Sequence, residues 1–240
     1  MPYEMPAAAD KARYVRRKFD EIARRYDLFN DLITQGQHRW WKRRLVRRVS
    51  LAPGARVLDL CCGTGDIARR WQQRLGSAGE VVALDFSTGM LGIARHRLRP
   101  GSGLARAIVL GGDAMHLPFP DATFDAVSVG YGLRNVNDLA GCLREIHRVL
   151  RPGGTLASLD VGKVRNRWLR PLVNLYFFYV VPWIGRRLQP GQDMFTYLPQ
   201  SSVDYPEQHA LAALMQAQGF RETAVVEYVF GASALHFARK

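Results

Sequence analysis

The stretch that most constrains the fold is Arg56-Val-Leu-Asp-Leu-Cys-Cys-Gly-Thr-Gly-Asp66, taken with Val81-Val-Ala-Leu-Asp-Phe86 downstream. Val57 to Leu60 is a short apolar run bounded by Pro53-Gly54 and by glycines, the pattern of a buried parallel strand running into a tight turn. Gly63 and Gly65 supply that turn, because a backbone that bends sharply and admits a ligand has no room for a Cβ. The second run ends in Asp85, twenty positions after Gly65. A carboxylate at the tip of the neighbouring strand accepts both hydroxyls of a ribose. The unit therefore reads as a nucleoside-cofactor site at the carboxyl edge of an α/β sheet.

Charge narrows the nucleoside. Gly63-Thr-Gly-Asp-Ile-Ala68 satisfies the loose dinucleotide pattern G-x-G-x-x-G/A, which alone is a weak signal. Asp59, Asp66 and Asp85 crowd a site that would have to hold a pyrophosphate, and phosphate favours a helix N-terminus free of such charge. S-adenosylmethionine has no phosphate and carries an ammonium and a sulfonium, which acidic neighbours suit.

Further strands follow at regular intervals. Ser87 is a natural N-cap for a helix to Leu98 with Met90, Leu91 and Ala94 inward. Ala107 to Leu110 reads as a third strand, with Asp113 at the same edge as Asp59 and Asp85 and suited to an adenine amino group. Phe124 to Val129 is a fourth, opening into Gly130-Tyr-Gly-Leu-Arg-Asn135. A helix from about Asp138 to Leu150, ended by Arg151-Pro-Gly-Gly154, leads to a fifth strand, Thr155 to Val161. This alternation implies a mostly parallel, doubly wound sheet. A helix near Glu207–Gln218 and strands Ala224–Val229 and Ala234–Ala238 suggest a terminal antiparallel hairpin.

The ends of the chain differ from this core. At 240 residues and 48% hydrophobic composition, one domain is expected: a helical N-terminal lid (1–50), the cofactor core (51–161), an apolar insertion (162–206) and the C-terminal helix and hairpin (207–240). Net charge is +13, and residues 1–56 hold fourteen Lys/Arg against six Asp/Glu. Such a patch suits RNA, an anionic membrane surface, acidic substrates or simply a solvated helix face. Val15, Phe19, Ile22, Ala23, Tyr26, Phe29 and Ile33 predict an amphipathic helix or helix pair. Tyr14 and Lys18 have the spacing of a dehydrogenase pair but precede the first strand. Trp40 and Trp41 among cations fit a stacking surface or a membrane interface. Pro171 to Gly185 is fifteen residues without a charge, flanked by Arg165, Arg167, Arg170, Arg186 and Arg187. It is shorter than the roughly 17–25 residues of a membrane span. It reads as a cap over a hydrophobic pocket, a segment dipping into a membrane surface, or an ordinary buried helix. Cys61, Cys62 and Cys142 show no metal spacing, so no metal is expected. Met1-Pro-Tyr-Glu-Met-Pro6 lacks a signal-peptide core, so export is not expected.

Several motifs together carry a resemblance. Asp59 to Asp66, Leu84-Asp-Phe-Ser87 with Met90-Leu91, Gly112-Asp-Ala114, Leu117-Pro-Phe-Pro-Asp121, Phe124-Asp125, Tyr131 to Val136 and Arg148 to Gly154 resemble the menaquinone and ubiquinone biosynthesis C-methyltransferases. Arg25 to Asp31 and Gly36 to Lys42 fit the same family, and Gly132-Leu-Arg-Asn-Val136 is its specific signature. The resemblance implies a class I S-adenosylmethionine-dependent, Rossmann-like fold with six parallel strands and one antiparallel. It implies that Thr64 and the Gly63–Gly65 backbone hold the methionine part and Asp85 the ribose, with Asp59 a further cofactor-binding residue. Phe86 and Met90 would flank the adenine, with Asp113 and Ala114 at its edge. Gly130 stands where many relatives have Ser, so any side-chain contact there is lost or taken by backbone.

The implied reaction is C-methylation of a prenylated naphthoquinol: demethylmenaquinol to menaquinol, or the phytyl equivalent of phylloquinone synthesis. A polyprenyl methoxybenzoquinol of ubiquinone synthesis is the alternative, and RNA methylation a more distant one. Arg134 would stabilise the quinol anion and Asn135 orient its oxygen, with Tyr26 and His38 from the lid as further catalytic candidates and His116 as a weaker base. A cytoplasmic enzyme is expected, peripheral to the inner membrane. Its expected partners are the membrane-resident quinol and an anionic membrane surface, with no nucleic acid; a homodimer is left open.

Overall fold

The computed structural model describes residues 8–188 and 194–240. The expectation about Met1–Pro6 therefore lies outside the described residues. The chain opens with α1 (Ala8–Ile22), α2 (Tyr26–Thr34) and α3 (Gln37–Arg48). The core alternates β1 (Arg56–Leu60), α4 (Asp66–Leu75), β2 (Glu80–Asp85), α5 (Thr88–Arg97), β3 (Arg106–Gly111), β4 (Phe124–Gly130), α6 (Leu139–Val149) and β5 (Leu150–Val161). The insertion holds α7 (Arg170–Leu175), a π-helical turn over Tyr176–Val180, α8 (Val181–Leu188) and α9 (Met194–Ser201). Then come α10 (Gln208–Ala217), β6 (Arg221–Tyr228) and β7 (Ser233–Arg239).

Among the described residues the strands form one seven-stranded sheet in the order β3-β2-β1-β4-β5-β7-β6. β1 to β5 pair in parallel, and β7 runs antiparallel to both β5 and β6. This is the expected mostly parallel sheet with an antiparallel C-terminal hairpin.

Alternation along each strand decides which face covers what. Leu58, Leu60, Val82, Leu84 and Val127 pack with Leu143, Ile146, Leu211 and Met215 of α6 and α10. Val57, Val81, Ala83 and Ala126 pack on the opposite side with Leu45, Trp71, Leu91 and Ala94 of α3, α4 and α5. Each buried Leu or Val contributes about 1.5–3 kcal/mol. A third cluster joins the N-terminal helices to the core: Val15, Phe19, Ile22 and Phe29 meet Met90 of α5, Val181 of α8 and Tyr197 of α9. Side-chain caps start two helices, Ser87 Oγ accepting from Met90 N and Asp138 Oδ1 from Gly141 N.

Three expectations are corrected. The fifth strand begins at Leu150 rather than Thr155: Leu150 pairs with Phe124 and Thr155 with Ala126, so Arg151–Gly154 is taken up in a bulge. Trp41 is buried and stacks on Tyr228 at 5.6 Å with planes 15° apart, so its ring belongs to the core and is no platform for a base. The apolar insertion is not an ordinary buried helix, since Trp168, Leu172 and Tyr179 are 65–73% exposed. No helix among the described residues is long and apolar enough to cross a membrane.

Candidate active site

Parallel strands deliver their carboxyl ends to one edge, and the turns leaving β1, β2, β3 and β4 enclose a cavity of about 530 Å³ there. That volume is in the range of small-molecule sites. The turn after β2 contributes Asp85, Phe86 and Met90, the end of β3 contributes Gly111 to Met115, and β4 opens into Gly130, Tyr131 and Asn135. The N-terminal helices close the outer side with Arg13, Arg16, Phe19 and Tyr26.

The two glycines of the first turn divide the work. Both lie at positive φ, Gly63 at 54° and Gly65 at 80°. A Cβ on Gly63 would meet nothing within 4 Å, whereas one on Gly65 would lie 3.2 Å from Ala94 Cβ. Gly63 thus faces space a ligand can enter, while Gly65 lets α4 approach α5.

Asp85 is buried at the tip of β2. Its Oδ2 accepts from Gly63 N at 2.8 Å and its Oδ1 from Ser87 N at 2.9 Å. Burial pushes the carboxyl up and these backbone donors oppose it. Asp59 sits deeper. Its Oδ1 accepts from Ser128 Oγ at 2.6 Å, and Ser128 Oγ in turn accepts from Trp71 Nε1 at 2.9 Å. Asp59 Oδ2 has no hydrogen-bond partner among the described residues. Burial pushes this carboxyl up to about 7. Asp59 lines a second cavity of about 30 Å³ with Lys42, Thr64 and Asp66. Tyr26, Cys61, Gly63, Gly130 and Tyr131 line both cavities, so the two adjoin.

Thr64 is held by the lid. Its Oγ1 donates to Asp27 Oδ1 at 2.8 Å and accepts from Arg97 Nη1 at 3.0 Å, while Arg97 also pairs with Asp27. The Thr64 hydroxyl proton is thus spent on Asp27 and is not offered to a ligand. Phe86, Met90 and Ala114 form an apolar wall. Asp113, at its rim, accepts from Met115 N through Oδ1 at 2.9 Å.

On the far side, Asn135 Nδ2 donates to Tyr131 O at 3.2 Å and its Oδ1 accepts from Tyr197 OH at 3.1 Å. Arg134 lines neither cavity. It is buried and donates to Asp160 Oδ1 at 2.7 Å, so its charge is committed to that carboxylate rather than offered to a substrate anion. His38 also lines neither. Its Nε2 lies 2.8 Å from Asp31 Oδ1, which keeps the ring in the lid rather than the cavity, and burial lowers its pKa. His116 is 87% exposed beside Asp113 and is likewise outside both linings.

The cavity also contains residues to which the motifs assigned no role. Tyr131 occupies the left-handed region at φ 58°, its N donating to Leu159 O at 2.6 Å. Its ring lies 5.6 Å from the Arg134 guanidinium, and burial pushes its phenol well above the usual range. Its place between Gly130 and Gly132 was the available signal, because small neighbours leave room for an aromatic turned inward. A Cβ on Gly130 would lie 2.4 Å from Ile67 Cδ1, so the absence of a side chain there also serves the packing of α4.

The donor set fits a nucleoside with a cationic amino-acid tail. Asp85 offers acceptors for vicinal hydroxyls, Gly63 a clear approach, and Phe86 and Met90 apolar flanks for a base. The unpartnered Asp59 oxygen suits an ammonium group or a water beside it.

Comparison with known proteins agrees. The chain is 44% identical over 242 residues to the demethylmenaquinone methyltransferase of Leptospira interrogans, covering 99% of this chain and 97% of that protein. It is 40% identical over 239 residues to the ubiquinone/menaquinone biosynthesis C-methyltransferase UbiE of Stenotrophomonas maltophilia, covering 98% and 92%. Among solved structures, a SAM-dependent methyltransferase of Thermotoga maritima superposes with a TM-score of 0.63 at 21% identity, over 93% of this chain and 99% of that one. With residues 7–240 matching its pattern, the chain belongs to the ubiE/COQ5 methyltransferase family and is an S-adenosylmethionine-dependent methyltransferase.

Proposed function

We propose that this methyltransferase alkylates a ring carbon of a prenylated naphthoquinol, the conversion of demethylmenaquinol to menaquinol or its phytyl equivalent. One observation carries the reading. A single cavity joins the Asp85–Gly63 edge, which fits a nucleoside, to a wall of Asn135, Tyr26 and Tyr131, which fits an oxygenated aromatic ring. The names of the two relatives supply the ring class.

S-adenosylmethionine, when bound, supplies an electrophilic methyl on sulfur. Asp85 would accept from the ribose hydroxyls, Phe86 and Met90 would flank the adenine, and Asp113–Ala114 would meet its edge. The Gly63–Gly65 backbone and Asp59 would hold the amino-acid end. A quinol carbon becomes nucleophilic as a neighbouring hydroxyl gives its proton to solvent, and after methylation that carbon returns to aromaticity by losing its ring hydrogen as a proton to solvent, the donor leaving as its neutral thioether. Asn135 orients the quinol oxygen, while Tyr26 brings a phenol from the lid. Arg134 acts as a positioning residue, holding Tyr131 through its guanidinium face while Asp160 holds Arg134. Orientation of carbon against methyl contributes much of the acceleration.

The isoprenoid tail places the substrate in a bilayer, so the site of action is a membrane surface. The exposed aromatic residues of the insertion and its flanking arginines support that. The test is incubation of purified protein with labelled S-adenosylmethionine and reduced demethylnaphthoquinol or the benzoquinol analogue, each in detergent. Label on the naphthoquinol ring is expected, and label on both rings would widen the substrate range to the second relative's. Label on neither, with cofactor bound, overturns the reading.

A further inference from the structure

Exposed apolar side chains gather on two elements that are fastened together. Leu28 and Leu32, four apart on α2, are both exposed. Leu172, Leu175, Tyr179 and Trp183 follow at three- and four-residue spacing through α7, the π turn and α8, and are exposed as well. α2 packs on α8. Tyr176 OH donates to Ile33 O at 2.8 Å, and Arg25 donates to Leu188 O. The two stripes therefore move as one platform.

Charge identifies what covers it. Arg165, Arg167 and Arg170 precede the stripe, Arg186 and Arg187 follow it, and all five are exposed. Arg167 lies over Trp168 at 4.5 Å and Arg187 over Trp183 at 5.2 Å, so each end presents an aromatic ring and a cation together. A second copy of a chain of net charge +13 would bring like charges together on this face, whereas an anionic lipid surface complements them.

The same short helix touches the cofactor loop. α2 presents Leu28 and Leu32 outward and Tyr26 and Asp27 inward, with Asp27 on Thr64 and Arg97. From α1, Asp20 Oδ1 accepts from Ser87 Oγ at 2.6 Å and Gly89 N at 2.7 Å, which fixes the lid to the N-terminus of α5. We propose that an anionic bilayer docks on the face shared by α2 and α7–α8, and that docking and methyl-donor binding reinforce one another through the Asp27–Thr64–Arg97 latch. Both ligands favour the latched arrangement: the bilayer takes the apolar face that the latched lid presents, and the donor takes the loop that the lid holds. Reciprocity follows, each raising the affinity of the other by the same factor. The inference rests on the methyl-donor assignment above and is independent of the ring that is methylated.

The test is sedimentation of the full chain with phosphatidylglycerol-rich or pure phosphatidylcholine vesicles, with and without S-adenosylhomocysteine as the donor analogue. The expected result is binding to the anionic vesicles at least about tenfold tighter than to the zwitterionic ones, and tighter still, by about fivefold, with the analogue. Trp183→Asp and Leu32→Asp should each weaken vesicle binding about tenfold while leaving circular dichroism and turnover of a short-tailed, water-soluble quinol unchanged. Asp27→Asn should bind vesicles yet lose the dependence on the analogue. Absence of anionic vesicle binding, equal binding with and without the analogue in the parent protein, or burial of this face in a dimer by sedimentation equilibrium would each overturn the proposal. Short-tailed quinol methylated without vesicle binding removes this inference and leaves the function standing. Vesicle binding without methylation of any quinol does the reverse.

Discussion

Replacing Asp59 by Asn should make the stability of this protein less sensitive to alkali. Asp59 is 1% exposed, and burial raises its carboxyl from 3.8 to about 7. A carboxyl held protonated in the fold but ionised in the unfolded chain stabilises below pH 3.8, and that contribution is lost as pH rises toward 7. At about 1.4 kcal/mol per pH unit, the loss across that interval is about 4 kcal/mol. Asn keeps an oxygen for the Ser128 hydroxyl, now at 2.6 Å, and has no proton to lose. Lys42 and Asp66, the charged groups nearest Asp59, are the same in both chains. Burial lowers the pKa of His38, His147 and His236, so each of these loses stability as pH falls. Their shared contribution cancels in the difference between the two proteins. Urea unfolding of both at pH 4.5, 6 and 8 should show the variant gaining on the parent by about 3–4 kcal/mol across the series. A difference that stays constant across those values would refute the idea that Asp59 is held protonated.

Other substitutions test other joints of the structure. Gly132→Ala places a Cβ 2.5 Å from Cys61 Cβ and 2.8 Å from its Sγ, and should lower the urea midpoint by about 1–3 kcal/mol of stability. Asp160→Leu strands the buried Arg134 guanidinium and should cost about 3–5 kcal/mol, part of which returns in the Arg134→Met, Asp160→Leu double variant. Equal loss in single and double variants would show that the pair is not the cause. Asn135→Ala should reduce turnover of the naphthoquinol more than about tenfold, with S-adenosylhomocysteine binding by calorimetry unchanged. Unchanged turnover would remove Asn135 from the site.

Much of the architecture can be read locally. Val57–Leu60 and Val81–Asp85 are strands in the structure as their apolar runs require, Ser87 caps α5, and α6 ends at Val149, ahead of Pro152-Gly-Gly154. Alternation and turn chemistry are properties of neighbouring residues, so they survive in a one-dimensional reading. The cofactor edge is legible for the same reason, since Gly63, Asp85, Phe86 and Ala114 sit at strand ends, and parallel strands bring those ends together.

The partners of individual side chains are a different matter. Arg134 has the residue type and position of an anion binder, yet Asp160, twenty-six residues on at the end of the neighbouring strand, takes its charge. Thr64 has the position of a ligand donor, yet Asp27, thirty-seven residues earlier, holds its hydroxyl. Tyr131 acquires its place from the Arg134 guanidinium over its ring and from Leu159 O on the neighbouring strand. The charge-free run at Pro171–Gly185 had the composition of a core helix, and only the packing of α8 on α2 left its aromatic face outside. Sequence by itself determined the sheet, the glycine turn and the acidic rim, because hydrophobic period and backbone preference act over a few residues. Tertiary structure decided which polar groups are spent on each other and which remain for ligands, because a hydrogen bond or ion pair depends on distances that only the closed fold sets.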